Sequence, residues 1–216
     1  MTESRYSAHG IEAEFEPGSR KRVLRNRLGI VRVREMQQVE SEALIAVQKW
    51  AVSYFGPSHR FTSADIRELH GRWLGGIYLW AGQYRQVNVS KGGFVFAAAA
   101  QVPRLMQVLE AEELTAYTPC RGVDDARLIA ALARIHAELV LIHPFREGNG
   151  RCARLLAWLM ALQAGLPPLD FSVWSGRGRQ TYFAAIQTAI ERDYAPLERC
   201  FSRVIVRTLR VYGRGA

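Results

Sequence analysis

Twelve residues, HPFREGNGRCAR at 143–154, constrain the fold of this chain more than any others. They lie between two apolar stripes of helical period. Leu128, Leu132, Ile135, Leu139 and Ile142 precede them, and Leu155, Leu156, Leu159 and Leu162 follow. A helix therefore ends near Ile142, a short loop carries His143 to Glu147, and Gly148-Asn149-Gly150 opens the next helix. Asp124 or Asp125 caps the first of these helices, and Gly165 with Pro167-Pro168 stops the second.

The remaining segments read as further helices around this pair. Met36, Val39, Ala43, Leu44, Val47 and Trp50 mark a helix from Arg34 to Tyr54, ended by Gly56-Pro57. A second runs from the Thr62–Asp65 cap to about Ile77, and another from Val102 to about Leu114. Residues 179–191 and 196–211 give two more, the latter with Pro196 in its first turn. The period changes only in YRQVNVSKGGFVF, residues 84–96, where Val87 and Val89 alternate with polar residues before Gly92-Gly93. That is a hairpin with a glycine turn, and a lone hairpin must lie against helices to be stable. The expectation is a mainly α fold: a helical bundle with one β-hairpin. Residues 1–18 form a polar extension broken by Pro17-Gly18, and 19–216 form a single domain.

Bulk properties narrow the setting. With 216 residues, 49% of them hydrophobic, the chain can bury a real core. No run of 18 apolar residues suggests a membrane span, and the first residues lack the apolar stretch of a secretory signal. Cys120, Cys152 and Cys200 are widely separated and have no metal-ligand spacing, which fits a reducing, cytoplasmic location. The net charge of +9 permits polyanion binding, but the basic residues are dispersed and nucleic acid is not the expected partner. The densest basic run, 19–34, reads equally well as a solvated helix face.

The twelve residues have a chemistry of their own. A helix N-terminus presents unpaired N–H groups and a partial positive charge. Gly148 and Gly150 let an anion approach that backbone, and Asn149 caps the helix or offers its amide. Arg151 and Arg154, three apart, present planar forks suited to phosphate oxygens. Arginines in a first turn oppose the helix dipole by roughly 0.3–1 kcal/mol each, a cost that a bound polyphosphate offsets. Glu147 among these cations suits Mg²⁺, which takes one or two carboxylates plus phosphate oxygens. His143 suits removal of a hydroxyl proton near neutral pH. Taken singly, these residues read as a core histidine, a salt bridge and a plain turn; taken in this order, they imply attack of a hydroxyl on a nucleotide phosphate.

The segment also resembles the Fic family signature, His-x-Phe-x-(Asp/Glu)-Gly-Asn-Gly-Arg-x-x-Arg, through His143, Phe145, Glu147, Gly148, Asn149, Gly150, Arg151 and Arg154. Residues 69–85, LHGRWLGGIYLWAGQYR, resemble the family's helix leading into Trp-Ala-Gly, and 89–96 resemble its flap hairpin. The resemblance implies transfer of AMP from ATP to a target hydroxyl, with Mg²⁺ bound. His143 would be the base and Phe145 the anchor of the loop. Glu147 would be the metal ligand, and Gly148, Asn149 and Gly150 the anion hole. Arg151 and Arg154 would grip phosphate. Hairpin 84–96 would pair with an extended segment of the target. Gly150 stands where the phosphate-transferring branch that resembles the death-on-curing toxin has lysine. Lys91 and Gly92 in the hairpin, and Tyr182 and Gln187 beyond the Trp174 loop, are further candidates for nucleotide contact. No Ser or Thr has Glu four residues later. The chain thus resembles family members whose inhibitor is a separate small antitoxin. The competing reading is a nucleotide- or phosphopeptide-binding module without transferase activity.

Overall fold

The computed structural model describes Glu12 and residues 14–213. The chain is mainly helical, as expected, and the one sheet among the described residues is a two-stranded antiparallel hairpin. In chain order the elements are α1 (Val33–Tyr54), α2 (Ser63–Leu74), β1 (Ser90–Lys91), β2 (Phe94–Val95), α3 (Val102–Val108), α4 (Thr115–Tyr117), α5 (Asp125–Ile142), α6 (Asn149–Gln163), α7 (Gly178–Thr188) and α8 (Ala195–Tyr212). Most of the helices read from apolar spacing are present within a few residues of their expected ends.

Two expectations need correction. Pairing in the hairpin is limited to Ser90 with Val95 and Lys91 with Phe94, not the full span 84–96. Gly92 and Gly93 at φ +56° and +80° make the tight turn between them. Val87 and Val89 are buried with Phe96 packed against them; the Val89 carbonyl accepts the Phe96 N–H at 3.3 Å, while the Val87 carbonyl is taken by the Arg85 side chain. The Asn88 Oδ1 accepts the Ala99 N–H at 2.9 Å. The basic run 19–34 is a loop up to Val33, because Arg20, Lys21 and Gly29 sit at positive φ. The Asn26 Oδ1 takes the Leu28 and Ile30 N–H groups there. The helix expected from Val102 to about Leu114 is present, its second half, Leu109–Leu114, wound as a π-helical stretch that leads into α4. It keeps Glu113 buried, where both carboxylate oxygens take Arg134 N–H groups at 2.8 Å.

The chain divides into two compact units. The first holds the chain up to Tyr54, Ser63–Gln107 and Ile142–Cys152. In it α1 packs on α2, burying Met36, Glu40, Val47 and Ala51 against a stripe of Ile66, Leu69, His70, Trp73 and Leu74. Of the polar extension, residues 1–11 and 13 lie outside the described residues. Phe15 bridges Leu24 in antiparallel fashion, and the Glu12 carbonyl accepts from the Arg146 Nε at 2.6 Å.

The second unit holds Phe55–Thr62, Val108–Leu141 and the chain from Ala153 onward. The α5 and α6 leucines singled out in the sequence are buried there, apart from Leu162. The Gln163 side chain accepts the Cys120 N–H and donates to the Gly56 and His59 carbonyls. Helices α7 and α8 pack on each other and on the 3₁₀ turn Phe171–Trp174. Pro196 stands at the start of α8, as its sequence position implied.

Candidate functional site

The motif loop and the first turn of α6 belong to the first unit. At the end of α5 the chain turns at His143, whose φ is +52°, a left-handed conformation uncommon outside glycine but adopted more often by Asn, Asp and His than by other residues. The loop beyond it is held from within. The Asn149 Oδ1 accepts the Phe145 N–H and its Nδ2 donates to the Phe145 carbonyl, both at 2.8 Å. Asn149 is buried, so both ends of its amide serve loop closure.

The loop is also held from below. The Gly82 N–H donates to His70 Nδ1 at 2.9 Å. That fixes the tautomer, and Nε2–H donates to the Glu147 carbonyl at 3.0 Å. The His70 ring stacks on Phe145 with centroids 3.7 Å apart. Burial holds its pKa down at about 4, against the upward pull of the Glu147 bond and with help from the Arg151 charge. His70 is therefore a neutral, single-tautomer strut. Phe145 is fully buried and anchors the loop, as its place in the motif implied.

Gly148 is a position where only glycine fits. Its φ is +84°, and a Cβ there would lie 2.8 Å from Trp73 Cζ3 and 3.3 Å from Leu74 Cδ1. Its carbonyl accepts the first helical bonds of α6, from the Arg151 and Cys152 N–H groups at 3.0 and 2.9 Å. Its own N–H donates to Glu147 Oε1 at 3.1 Å. This carboxylate lies 3.9 Å from Arg151 Nη2. Arg151 lies over the Trp73 ring, 4.6 Å from its centroid, and its Nη1 donates to Glu40 Oε2 at 2.7 Å. Glu40 is a buried acid on α1; its Oε1 accepts the Tyr78 hydroxyl at 2.8 Å and its carbonyl the Trp73 Nε1 at 2.8 Å. Burial and the Glu40 charge push the Tyr78 pKa well above the usual tyrosine range.

The hairpin reaches the motif through Phe96, whose ring stacks on His143 with centroids 3.7 Å apart. Lys91, half-buried, and Gly92, exposed, form the tip of this hairpin. Arg85, 1% exposed, lies beneath. Its Nε donates to the His143 carbonyl at 2.7 Å and its Nη1 to the Val87 carbonyl at 2.7 Å. Its Nη2 donates to the Ala97 carbonyl and, at 3.3 Å, to the Ile142 carbonyl. Its backbone N–H donates to the Pro144 carbonyl at 2.9 Å.

The first unit thus gathers His143, Glu147, Gly148, Asn149, Gly150, Arg151 and the hairpin residues Lys91 and Gly92. Arg154 and Tyr182 belong to the second unit. There Tyr182 is buried. Its hydroxyl meets His136 Nε2 at 2.8 Å, and its ring stacks on Trp174 at 4.5 Å. Burial pushes the Tyr182 pKa up to about 12. Burial first, and then the charge of Arg154, hold the His136 pKa down at about 3. Gln187 is exposed.

Three organising residues went unread in the sequence: Arg85, His70 and Glu40. For Glu40 a signal existed. It stands four residues after Met36 on the buried face of α1, and an acid in an apolar stripe needs a cationic partner. For His70 the signal was its place between Leu69 and Trp73. An arginine at position 85 gave none, since its four carbonyl partners come from two separate segments.

Residues 60–161 match the Fic/DOC family. The chain is 29% identical over 188 residues to the probable protein adenylyltransferase Fic of Escherichia coli (strain K12), covering 85% of this chain and 88% of that protein. It is 31% identical over 147 residues to the protein adenylyltransferase VbhT of Bartonella schoenbuchensis, of whose length it spans only 30%. Among solved structures, it is similar to the ADP-bound N-terminal Fic domain of a putative cell filamentation protein from Bartonella quintana. That match has a TM-score of 0.72 and 25% identity, and covers 91% of this chain and 95% of the other.

Proposed function

We propose, on the premise that this chain belongs to the Fic/DOC family, that it is a protein adenylyltransferase moving AMP from ATP to a hydroxyl side chain of a target protein. The observation that carries the reading is a helix start whose backbone is shaped by close packing and by side-chain hydrogen bonds. Gly148 sits where no Cβ fits, and the loop before it is braced by Asn149 and His70. His143 follows directly from the end of α5 and packs on the hairpin.

In this reading the triphosphate lies against the N–H groups opening α6, with Asn149 and Gly150 in the cradle and Arg151 as its cationic partner. His143 takes the proton of the target hydroxyl as its oxygen attacks the α-phosphorus. The bond from that phosphorus to the bridging oxygen breaks, and pyrophosphate leaves. The phosphate charge that develops is met by donors already fixed in place. Lys91, Gly92 and the exposed edge of the hairpin align an extended segment of the target.

Glu147 suits Mg²⁺ of one kind. No cluster of three or more His, Cys, Asp or Glu among the described residues could hold a metal. A single carboxylate, 19% exposed on its side chain, fits an ion that arrives with nucleotide and shares its phosphates and waters. When bound, that ion would neutralise charge on the phosphate oxygens.

The absence of Glu four residues after any Ser or Thr supports an inhibitor supplied in trans, a small antitoxin, and hence a toxin role. Co-purification from the native host tests this; a fully active single chain without a small partner would count against it. No described helix is long and apolar enough to cross a membrane. The free, buried Cys120, Cys152 and Cys200 support a cytoplasmic setting as part of the same proposal. The central test is incubation with α-labelled ATP, Mg²⁺ and bacterial lysate. Label should pass to a protein band with the wild type and not with a folded His143→Ala variant. Equal labelling by both would remove His143 from its role.

A further inference from the structure

We infer that Arg85 is a positioning residue that couples the hairpin to His143, so that one buried guanidinium sets both the platform for the target strand and the group that accepts the target's proton. The inference rests on the transferase reading above and extends it to a residue outside the signature.

The argument starts from valence. A guanidinium has five N–H donors in a rigid plane. In this protein they converge on carbonyls from two sides. Val87 and Ala97 lie at the two feet of the hairpin, and Ile142 and His143 lie where α5 gives way to the motif loop. The backbone N–H of Arg85 adds Pro144 to the same set. The residue is buried, its side-chain N–H groups end on carbonyl oxygens, and the Glu12 charge acts on it as well. Burial pulls its pKa down to about 10, so it stays cationic at neutral pH.

The consequence falls on His143. Its left-handed backbone is an unfavourable conformation for a residue with a Cβ. It is held by Arg85 on its carbonyl, by Arg85 again on the carbonyls before and after it, and by Phe96 on its ring. Phe96 itself is carried by the segment whose next carbonyl, Ala97, also ends on Arg85. The hairpin and the proton acceptor therefore share one anchor. Lysine offers a compact charge in place of a planar fork, so it can keep the charge without keeping the spread of partners.

The test is Arg85→Lys in the labelled-ATP assay, measured at limiting and saturating ATP beside wild type and His143→Ala. The expected result is a fall of about tenfold to a hundredfold in the rate at saturating ATP, the size of effect produced by a misplacement near 1 Å. The apparent KM for ATP should stay within about threefold, because the phosphate cradle is built from other residues. An equal rise in KM, or a wild-type rate from a folded Arg85→Lys protein, overturns the inference. The parent reading fails separately, if His143→Ala keeps its activity. A measurement on the wild type covers the case in which the variant does not fold. The Arg85 Nε–H, bonded to the His143 carbonyl, should exchange with solvent as slowly as core amides in an NMR hydrogen-exchange experiment; exchange within the dead time overturns the inference.

Discussion

Replacing Gly148 by alanine would test whether the start of α6 is shaped by Trp73. Two costs add at this position. Holding an L-residue at φ +84° costs roughly 1–2 kcal/mol. The new Cβ would also sit 2.8 Å from Cζ3 and 3.1 Å from Cη2 of Trp73, a ring 1% exposed and tied by Nε1 to the Glu40 carbonyl. Overpacking of this kind costs roughly 1–3 kcal/mol, so Gly148→Ala should lose roughly 2–5 kcal/mol in total. Gly92→Ala is the internal control, since it shares a positive φ but has nothing within 4 Å; it should lose only the backbone share. The assay is urea unfolding of each single variant, and of Gly148→Ala in a Trp73→Phe background, where the two clashing ring atoms are gone. There the alanine should cost less by the overpacking share, roughly 1–3 kcal/mol of coupling. If it costs the same in both backgrounds, the collision with Trp73 is not what reserves this position for glycine.

Other outcomes can be checked alongside. His136 is neutral when folded because burial and Arg154 hold its pKa near 3, while the unfolded chain protonates it near 6.5. Its contribution is therefore present above that value and is lost as pH falls. Between pH 7.5 and 4.5 the stability gap between wild type and His136→Gln should shrink by roughly 2–3 kcal/mol, read by urea unfolding at several pH values. A pH-independent gap would mean that His136 titrates in the folded protein as it does in the unfolded chain. Asn149→Ala frees both backbone groups of Phe145 and should lower stability by roughly 2–4 kcal/mol, with a larger proportional loss in label transfer than in thermal stability. Glu40→Ala leaves Arg151 without its closest acceptor and Tyr78 without its partner. It should lower the unfolding temperature and raise the apparent KM for ATP, and an unchanged KM would separate Arg151 from phosphate binding. Glu147→Ala should raise the Mg²⁺ concentration needed for half-maximal transfer, measured by titrating the metal.

The legible parts of this protein were those set by local chemistry. Apolar spacing placed α1, α5 and α6, because a helix that buries one face must repeat at its own period. The loop between α5 and α6 was legible because glycine, histidine and arginine carry their constraints with them. The hairpin was read too long. Alternation at Val87 and Val89 does report burial, but it cannot report that Arg85 and Asn88 would claim the backbone groups that a ladder needs. The burial of Glu113 was not legible either, because its partner Arg134 stands on another helix. Arg85 and His70 escaped for the same reason: their partners lie far away in the chain, and no short window contains both ends of the bond. Tyr182 as an aromatic was easy to notice, but its pairing with His136 was not.

The two hydrogen bonds between Asn149 and Phe145 and the His70 bond to Glu147 have a thermodynamic consequence for whatever enters the site. Fixing one residue's backbone takes roughly 1–2 kcal/mol of conformational entropy, and bonds within the protein hold the stretch from Phe145 to Asn149. To the extent that folding supplies this order, an anion bound there draws on it and does not have to provide it.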